Sequence, residues 1–323
     1  MKIQGSKKTA IIVLVIFISV LLIVLAIVLY SNLVKKYPEE PLKMKNLGKT
    51  SQNIDISSLE IKTKENDVPV YFVEPKLHID MVEKMINKLG ISLSRNDIVP
   101  NSYIEWGDSG NTFTYDAVSD SVTFNLLKGI SIERGNGSFS KFFKEYLDTE
   151  YEFTSFQEKK NANGGITYYA SRMINDIPVQ YGAGYEYTDI LEFDKDGSLI
   201  SAKLLLAQID KYDVYLPLIT KSELDKYINT SEYPKEHYVD SSVLADILNI
   251  YYLDDKWEKI EDTLKDCKAQ SSDLIFLYKT SNQGYLLPVF KISANCTVSN
   301  EGNDYTVPAT FYVNAADPKY VTL

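Results

Sequence analysis

Apolar residues at every second position recur along most of the chain, and this periodicity restricts its fold more than any other feature. TFTYDA and SVTFNL (112–117 and 121–126) put Phe113, Tyr115 and Ala117 on one face and Val122, Phe124 and Leu126 on one face of the returning arm. That pattern predicts a hairpin with one side buried. Further segments of the same kind are YEFTSFQEK, GGITYYASRM, IPVQY, YTDILEFDKDGSLISAKLLLAQI, DLIFLYKT, YLLPVFKISANCTV and YTVPATFYVNA. With 45% hydrophobic residues and 24 tyrosines, the composition is that of a folded, strand-rich protein and not of a disordered stalk.

Three segments carry a helical period instead. IDMVEKMINKLG places Val82, Met85, Ile86 and Leu89 on one face with Gly90 as the stop. SFSKFFKEYL places Phe139, Phe142, Phe143, Tyr146 and Leu147 behind Ser138 as a cap. TKSELDKYI offers Thr220 and Glu223 as a capping box and Leu224, Tyr227 and Ile228 as a buried stripe. Between 241 and 270 two readings stay open, since DILNIYY suits a strand or a helix turn while Trp257, Ile260, Leu264 and Cys267 suit a helical face. One helix laid across a curled antiparallel sheet buries each pattern. The expected class is therefore α+β: an N-terminal transmembrane helix followed by two or three units of a helix packed on a curled antiparallel sheet, at 54–135, 136–218 and 219–323.

The expected transmembrane helix is the run from Ala10 to Tyr30, twenty-one residues without a charge. About 20 apolar residues suffice to cross a bilayer as a helix, and no small-residue cleavage site follows. The reading is a cytoplasmic head at 1–9, an uncleaved anchor contacting membrane lipid at 10–31, and a linker at 32–53. Lysines flank the run on both sides, so charge does not set its orientation. A single span behind so short a head is expected to leave the bulk of the chain outside a cell membrane. The net charge of −10, from 44 acidic and 34 basic residues, argues against nucleic acid as a partner.

The motif apolar-Pro-Val occurs at Pro69, Pro178 and Pro288. The last two each follow an aromatic strand and a polar turn, as a proline opening a strand or lying on a sheet edge does. The alternative is chance recurrence. The succession ITYYASRMINDIPVQYGAGYEYTDILEFDKDGSLISAKL, residues 166–204, resembles the strand, Pro-containing turn, strand and Gly-turn order of the bacterial YycH and YycI regulators and, more loosely, PepSY and cystatin-like modules. The resemblance implies a non-catalytic protein that acts by contact with a membrane sensor kinase or another envelope protein, with no cofactor. It carries over no catalytic residues. The surfaces nominated for such contact are the edge strands near the Pro-Val turns and the aromatic run at 182–187, with Pro178, Tyr185 and Tyr187 as the residues named. Packing within a strand is the competing role for both tyrosines.

Residues able to carry chemistry are few. The two histidines, His78 and His237, fit no metal-ligand spacing, and surface or loop roles are expected for both. Ser138 and Lys141 spell S-x-x-K without its usual companions, so Ser138 is read as a cap. Asp194, Asp196, Gly197 and Ser198 resemble the opening of a calcium loop, yet the closing position holds Leu205, and a hairpin turn is expected. Acid pairs such as Glu150 with Glu152 and Asp254 with Asp255 give the alternative function, an anchored envelope hydrolase with an acidic cleft. Cys296 is expected to face inward from its strand and Cys267 from a helical face, leaving a disulfide or two buried thiols as alternatives. No metal site is expected.

Overall fold

The computed structural model describes residues 17–21, 35–45, 47–50, 52–61, 63, 66–135, 137–182, 184–240, 264–300 and 302–322. A helical stretch at 17–21 (α1) precedes strands β1 (Leu42–Lys43), β2 (Ile54–Asp55) and β3 (Asp67–Val73). Helix α2 (Ile79–Lys88) leads into β4 (Ser94–Val99), β5 (Tyr103–Gly107), β6 (Thr112–Asp116) and β7 (Ser121–Ile130). Helix α3 (Ser138–Tyr146) is followed by β8 (Glu152–Lys160), β9 (Ile166–Ile174), β10 (Ile177–Tyr181), β11 (Asp189–Phe193), β12 (Leu199–Leu205) and β13 (Ile209–Pro217). Helix α4 (Lys221–Tyr227) and β14 (Lys235–Tyr238) come next, then β15 (Lys265–Tyr278), β16 (Tyr285–Leu286), β17 (Pro288–Asn300), β18 (Asn303–Asn314) and β19 (Val321–Thr322).

Local patterning explains most of these elements. Phe113 pairs with Phe124 and Tyr115 with Val122 across the β6–β7 hairpin, and all four side chains are sealed from solvent. Val82, Met85 and Ile86 are the buried stripe of α2, and Gly90 stops it at φ +71°. Phe139, Phe142 and Phe143 pin α3 to the same core, with Phe142 stacked 5.9 Å from Phe124. Thr220 and Glu223 form the reciprocal capping box of α4. Ser138 does not cap α3: it is the first helical residue, and its hydroxyl donates to the Gly135 carbonyl at 2.7 Å.

Strand makes up 49% of the described residues and helix 12%, in large mixed sheets. This corrects the expected α+β class of helix-on-sheet units, and with it the PepSY-like and cystatin-like layout. The main sheet has fourteen strands in the path β14-β18-β17-β15-β10-β9-β11-β12-β7-β6-β5-β4, with β2 beside β15 and β8 beside β9. Its continuity rests on β10. Ile177 and Pro178 pair antiparallel with Ile174 and Met173 of β9, and Val179, Gln180 and Tyr181 pair parallel with Phe276, Leu277 and Tyr278 of β15. A five-residue strand thus joins two antiparallel halves that local patterning presents as separate sheets.

The second reason is how the sheet is covered. Helices α2 and α3 shield the core under β5–β7, β9, β11 and β12. Leu224 and Ile228 of the α4 region, with Ile54, Ile56 and Leu59, shield the core under β17 and β18. Across the joint the cover is itself a sheet, β13-β3-β16. Val68 and Val73 of β3 meet Val179, Phe276 and Tyr278, while Val70 and Leu216 meet Ile275, Leu277 and Val289. Pairing Asp67 with Pro217 and Val73 with Ile209 builds that layer from segments far apart in sequence.

The expected single-pass membrane location is also corrected, because among the described residues no helix is long and apolar enough to cross a membrane. Of residues 10–31 only 17–21 are described, and they are helical. The rest of that run lies outside the described residues.

Candidate functional site: an open sheet edge

The three residues nominated for contact fall in two different environments. Pro178 lies in β10 and pairs with Met173 of β9, one residue before that strand passes to its pairing with β15. Tyr187 packs on Tyr169 at 5.5 Å between ring centroids. Tyr185 is 65% exposed, with the Lys203 ammonium 5.6 Å from its ring centre. The same loop is tethered by Glu186, whose carboxylate takes a 2.6 Å ion pair from Lys291 of β17.

Cys267 and Cys296 are joined by a disulfide, with Cα atoms 3.9 Å apart. Cys267 lies on β15, which is a strand, and there it pairs with Ile54 of β2, beside a shift in the β15–β17 register. Trp257 and Ile260, the expected helical companions, lie outside the described residues, as do Asp254 and Asp255. Asp194 accepts backbone N–H bonds from Asp196 and Ser198, and Gly197 has φ +90°, which makes this segment the β11–β12 turn. Lys141 pairs with Glu133, and Glu150 with Lys144, so neither S-x-x-K nor the Glu150 and Glu152 pair assembles a reactive group.

Sequence reasoning missed a buried polar network. His78, expected on a surface or loop, is sealed. Its Nδ1 lies 2.9 and 3.0 Å from the two carboxylate oxygens of Asp120, which is fully buried. Tyr115 donates to the same carboxylate at 2.9 Å, and the His78 backbone N–H donates to the Tyr115 oxygen at 3.0 Å. Tyr278 donates to the Ser119 carbonyl at 3.2 Å, carrying the network onto β15. Beyond it, Arg172 and Asp189 pair at 3.6 Å, with the guanidinium 4.0 Å from the Tyr151 ring centre. Burial raises the Asp189 pKa above the ordinary carboxylate value, opposed by Arg172, Thr188 and the Leu205 N–H. His237 meets Thr50 at 3.1 Å. The only early signal for the His78 site was its place just before α2.

This network has catalytic residue types but no access, since His78, Asp120, Arg172 and Asp189 are all closed off inside the fold. Asp189 is the one carboxyl group among the described residues with a resolved upward shift, so no set of raised carboxyls converges in a cleft. Among the described residues no cluster of three or more His, Cys, Asp or Glu can hold a metal.

The open feature is β4. All six of its residues, SRNDIV, are exposed, and it ends the twelve-strand path of the main sheet. The hydrogen-bond phase of its neighbour shows what it presents. The Asp108 N–H donates to the Asn111 carbonyl at one end of the β5–β6 hairpin, and the Ala117 N–H to the Ser102 carbonyl at the other. Counting by twos, Trp106 and Ile104 aim their backbone groups at β6, and Gly107 and Glu105 aim theirs at β4. The partners of the latter are Ser94 and Asn96. Arg95 and Asp97 therefore direct N–H and C=O away from the sheet, and among the described residues no strand pairs with that side. Ile98 and Val99, 52% and 50% exposed, lie beside them.

No family model and no curated protein matches the chain. Among solved structures, the crystal structure of an uncharacterized protein from Eubacterium rectale is similar over 81% of this chain and 88% of that one, at 11% identity and a TM-score of 0.46.

Proposed function

We propose that this protein acts by protein–protein contact, taking an extended segment of a partner onto the outer edge of β4. The observation that carries this reading is the row of outward backbone groups at Arg95 and Asp97 on a strand exposed on both faces, next to exposed Ile98 and Val99. Such an edge is a template for another strand: backbone pairing supplies affinity and alternate side chains supply selection. The sealed polar network supports the same reading, because it keeps His78, Asp120, Arg172 and Asp189 as parts of the core.

The test is a photo-crosslinking residue in place of Ile98, in cells that produce the protein, with and without Asp97→Pro. Proline at 97 removes an outward donor without removing a bond to β5. A defined crosslinked species that disappears with Asp97→Pro is expected. Crosslinking that is unchanged by the proline, or none at all, would overturn the reading.

A further inference from the structure

The charges on β4 name the partner that fits it. Arg95 and Asp97 lie two residues apart, so their side chains share a face. Within the chain they already bond, Nε to Oδ1 at 2.6 Å and Nη2 to Oδ2 at 3.1 Å, while Arg95 Nη1 also reaches Glu83 at 3.1 Å. The guanidinium stands 5.9 Å from the Trp106 ring centre, which holds it at the strand edge. One cation and one anion therefore flank Asn96 symmetrically.

We propose that the segment received by β4 is β4 of a second copy of this chain, paired antiparallel about a two-fold axis through Asn96. This inference rests on the edge-pairing function proposed above and identifies its partner. In an antiparallel pair centred on Asn96, Arg95 of each copy lies opposite Asp97 of the other. Those are also the residues whose backbone groups point outward, so charge and hydrogen-bond phase select one register. Arg95 and Asp97 then exchange N–H and C=O bonds in both directions, giving four backbone bonds. Centring on Arg95 or Asp97 would instead set like charges opposite each other, which is unfavourable. Moving the centre by half a residue, to between 95 and 96 or between 96 and 97, would set inward-pointing backbone groups against outward ones. Asn96 meets its own copy as a non-hydrogen-bonded pair, at about 4.5 Å between Cα atoms. Ile98, the extra residue where the β4–β5 register shifts between Asp97 and Val99, comes next to Asp97 and lies nearest Ser94 of the other copy. The result is a self-complementary contact of the kind two-fold dimers use.

The register makes the test specific. The two native cysteines are already joined, so a single introduced cysteine is the only free thiol among the described residues. Asn96→Cys should form a covalent dimer under mild oxidation, since the separation lies within disulfide reach. Ser94→Cys and Ile98→Cys should each fail alone and crosslink when mixed. By sedimentation, Asp97→Arg and Arg95→Asp should each weaken the dimer at least tenfold, and the double variant R95D/D97R should restore it, which separates lost pairing from lost folding.

A chain that stays monomeric into the hundreds of micromolar overturns the dimer, as does Asn96→Cys crosslinking no better than Ser94→Cys, or a double variant that restores nothing. If the dimer fails while the Ile98 crosslinker captures a different protein in a manner blocked by Asp97→Pro, edge pairing stands and the self-partner does not. If both fail, the edge-pairing function falls too, and the charges of β4 are a guard against association.

Discussion

Asp189 of β11 faces Arg172 of β9 across 3.6 Å, with both side chains closed off from water. The pair gains hydrogen bonds from the Thr188 hydroxyl and the Leu205 N–H to Asp189, and from Arg172 to the Ala207 carbonyl at 3.0 Å. Removing one partner strands the other charge, and such losses are about 3–5 kcal/mol. Arg172→Ala should therefore lower unfolding stability by that amount in urea titration. A change below 1 kcal/mol would mean the pair is not a determinant of stability.

The same residue sets a pH dependence. Burial holds the folded pKa of Asp189 above the ordinary carboxylate value. A group raised on folding contributes stability below its unfolded pKa, and that contribution is lost as pH rises through the folded pKa. The stability of the native protein minus that of Asp189→Asn should fall from acid towards neutral pH. A difference that rises instead would contradict the direction.

Asp120 receives both the His78 imidazole and the Tyr115 hydroxyl. Asp120→Ala leaves two buried polar groups without that partner, each loss being about 1–3 kcal/mol. The combined effect should be at least 2 kcal/mol, with the β6–β7 turn protected less from hydrogen exchange. Asp120→Asn should lose less, because it keeps an acceptor and tolerates the φ of 47° at this position. Equal losses for Ala and Asn would argue against the hydrogen-bond account.

The Cys267–Cys296 bridge has a sequence separation of 29 residues. The chain-entropy model assigns a loop of that length about 3.6 kcal/mol. Since β15 and β17 are hydrogen-bonded over most of their length, Cys267→Ala/Cys296→Ala should fold with the same strand signature and a stability lower by about that value. Loss of folding altogether would give the bridge a larger role than loop closure.

Thr220 caps α4 through a box contained in four residues. Thr220→Ala should lower stability by about 1 kcal/mol. No change would place the stability of α4 in Leu224 and Ile228 alone.

Those four residues show what was legible and why. A capping box, the Phe113 to Phe124 hairpin and the Val82, Met85 and Ile86 stripe are settled within a few residues of chain, where spacing and side-chain type decide the conformation. Two ambiguities had a tertiary origin. Cys267 sat on a helical spacing that its pairing with Ile54 of β2 overrides. His78 showed nothing of its environment because Asp120 is 42 residues away.

The candidate edge was not legible in the sequence. SRNDIV lacks the clean alternation that marks a half-buried strand, because β4 is exposed on both faces. Its outward groups follow from bonds made by Asp108 and Ser102 on the neighbouring hairpin.

The sequence by itself determined the strand-rich character, the positions of α2, α3 and α4, the turn at Gly197 and the apolar faces of the hairpins, since each follows from periodicity and local hydrogen bonding. Tertiary structure decided that β10 joins β9 to β15, that β3 and β13 form a covering layer, and that β4 is left unpaired. Those outcomes depend on backbone pairing between segments many tens of residues apart, and strand pairing is set by register and burial across the whole sheet, which no local window of side chains contains.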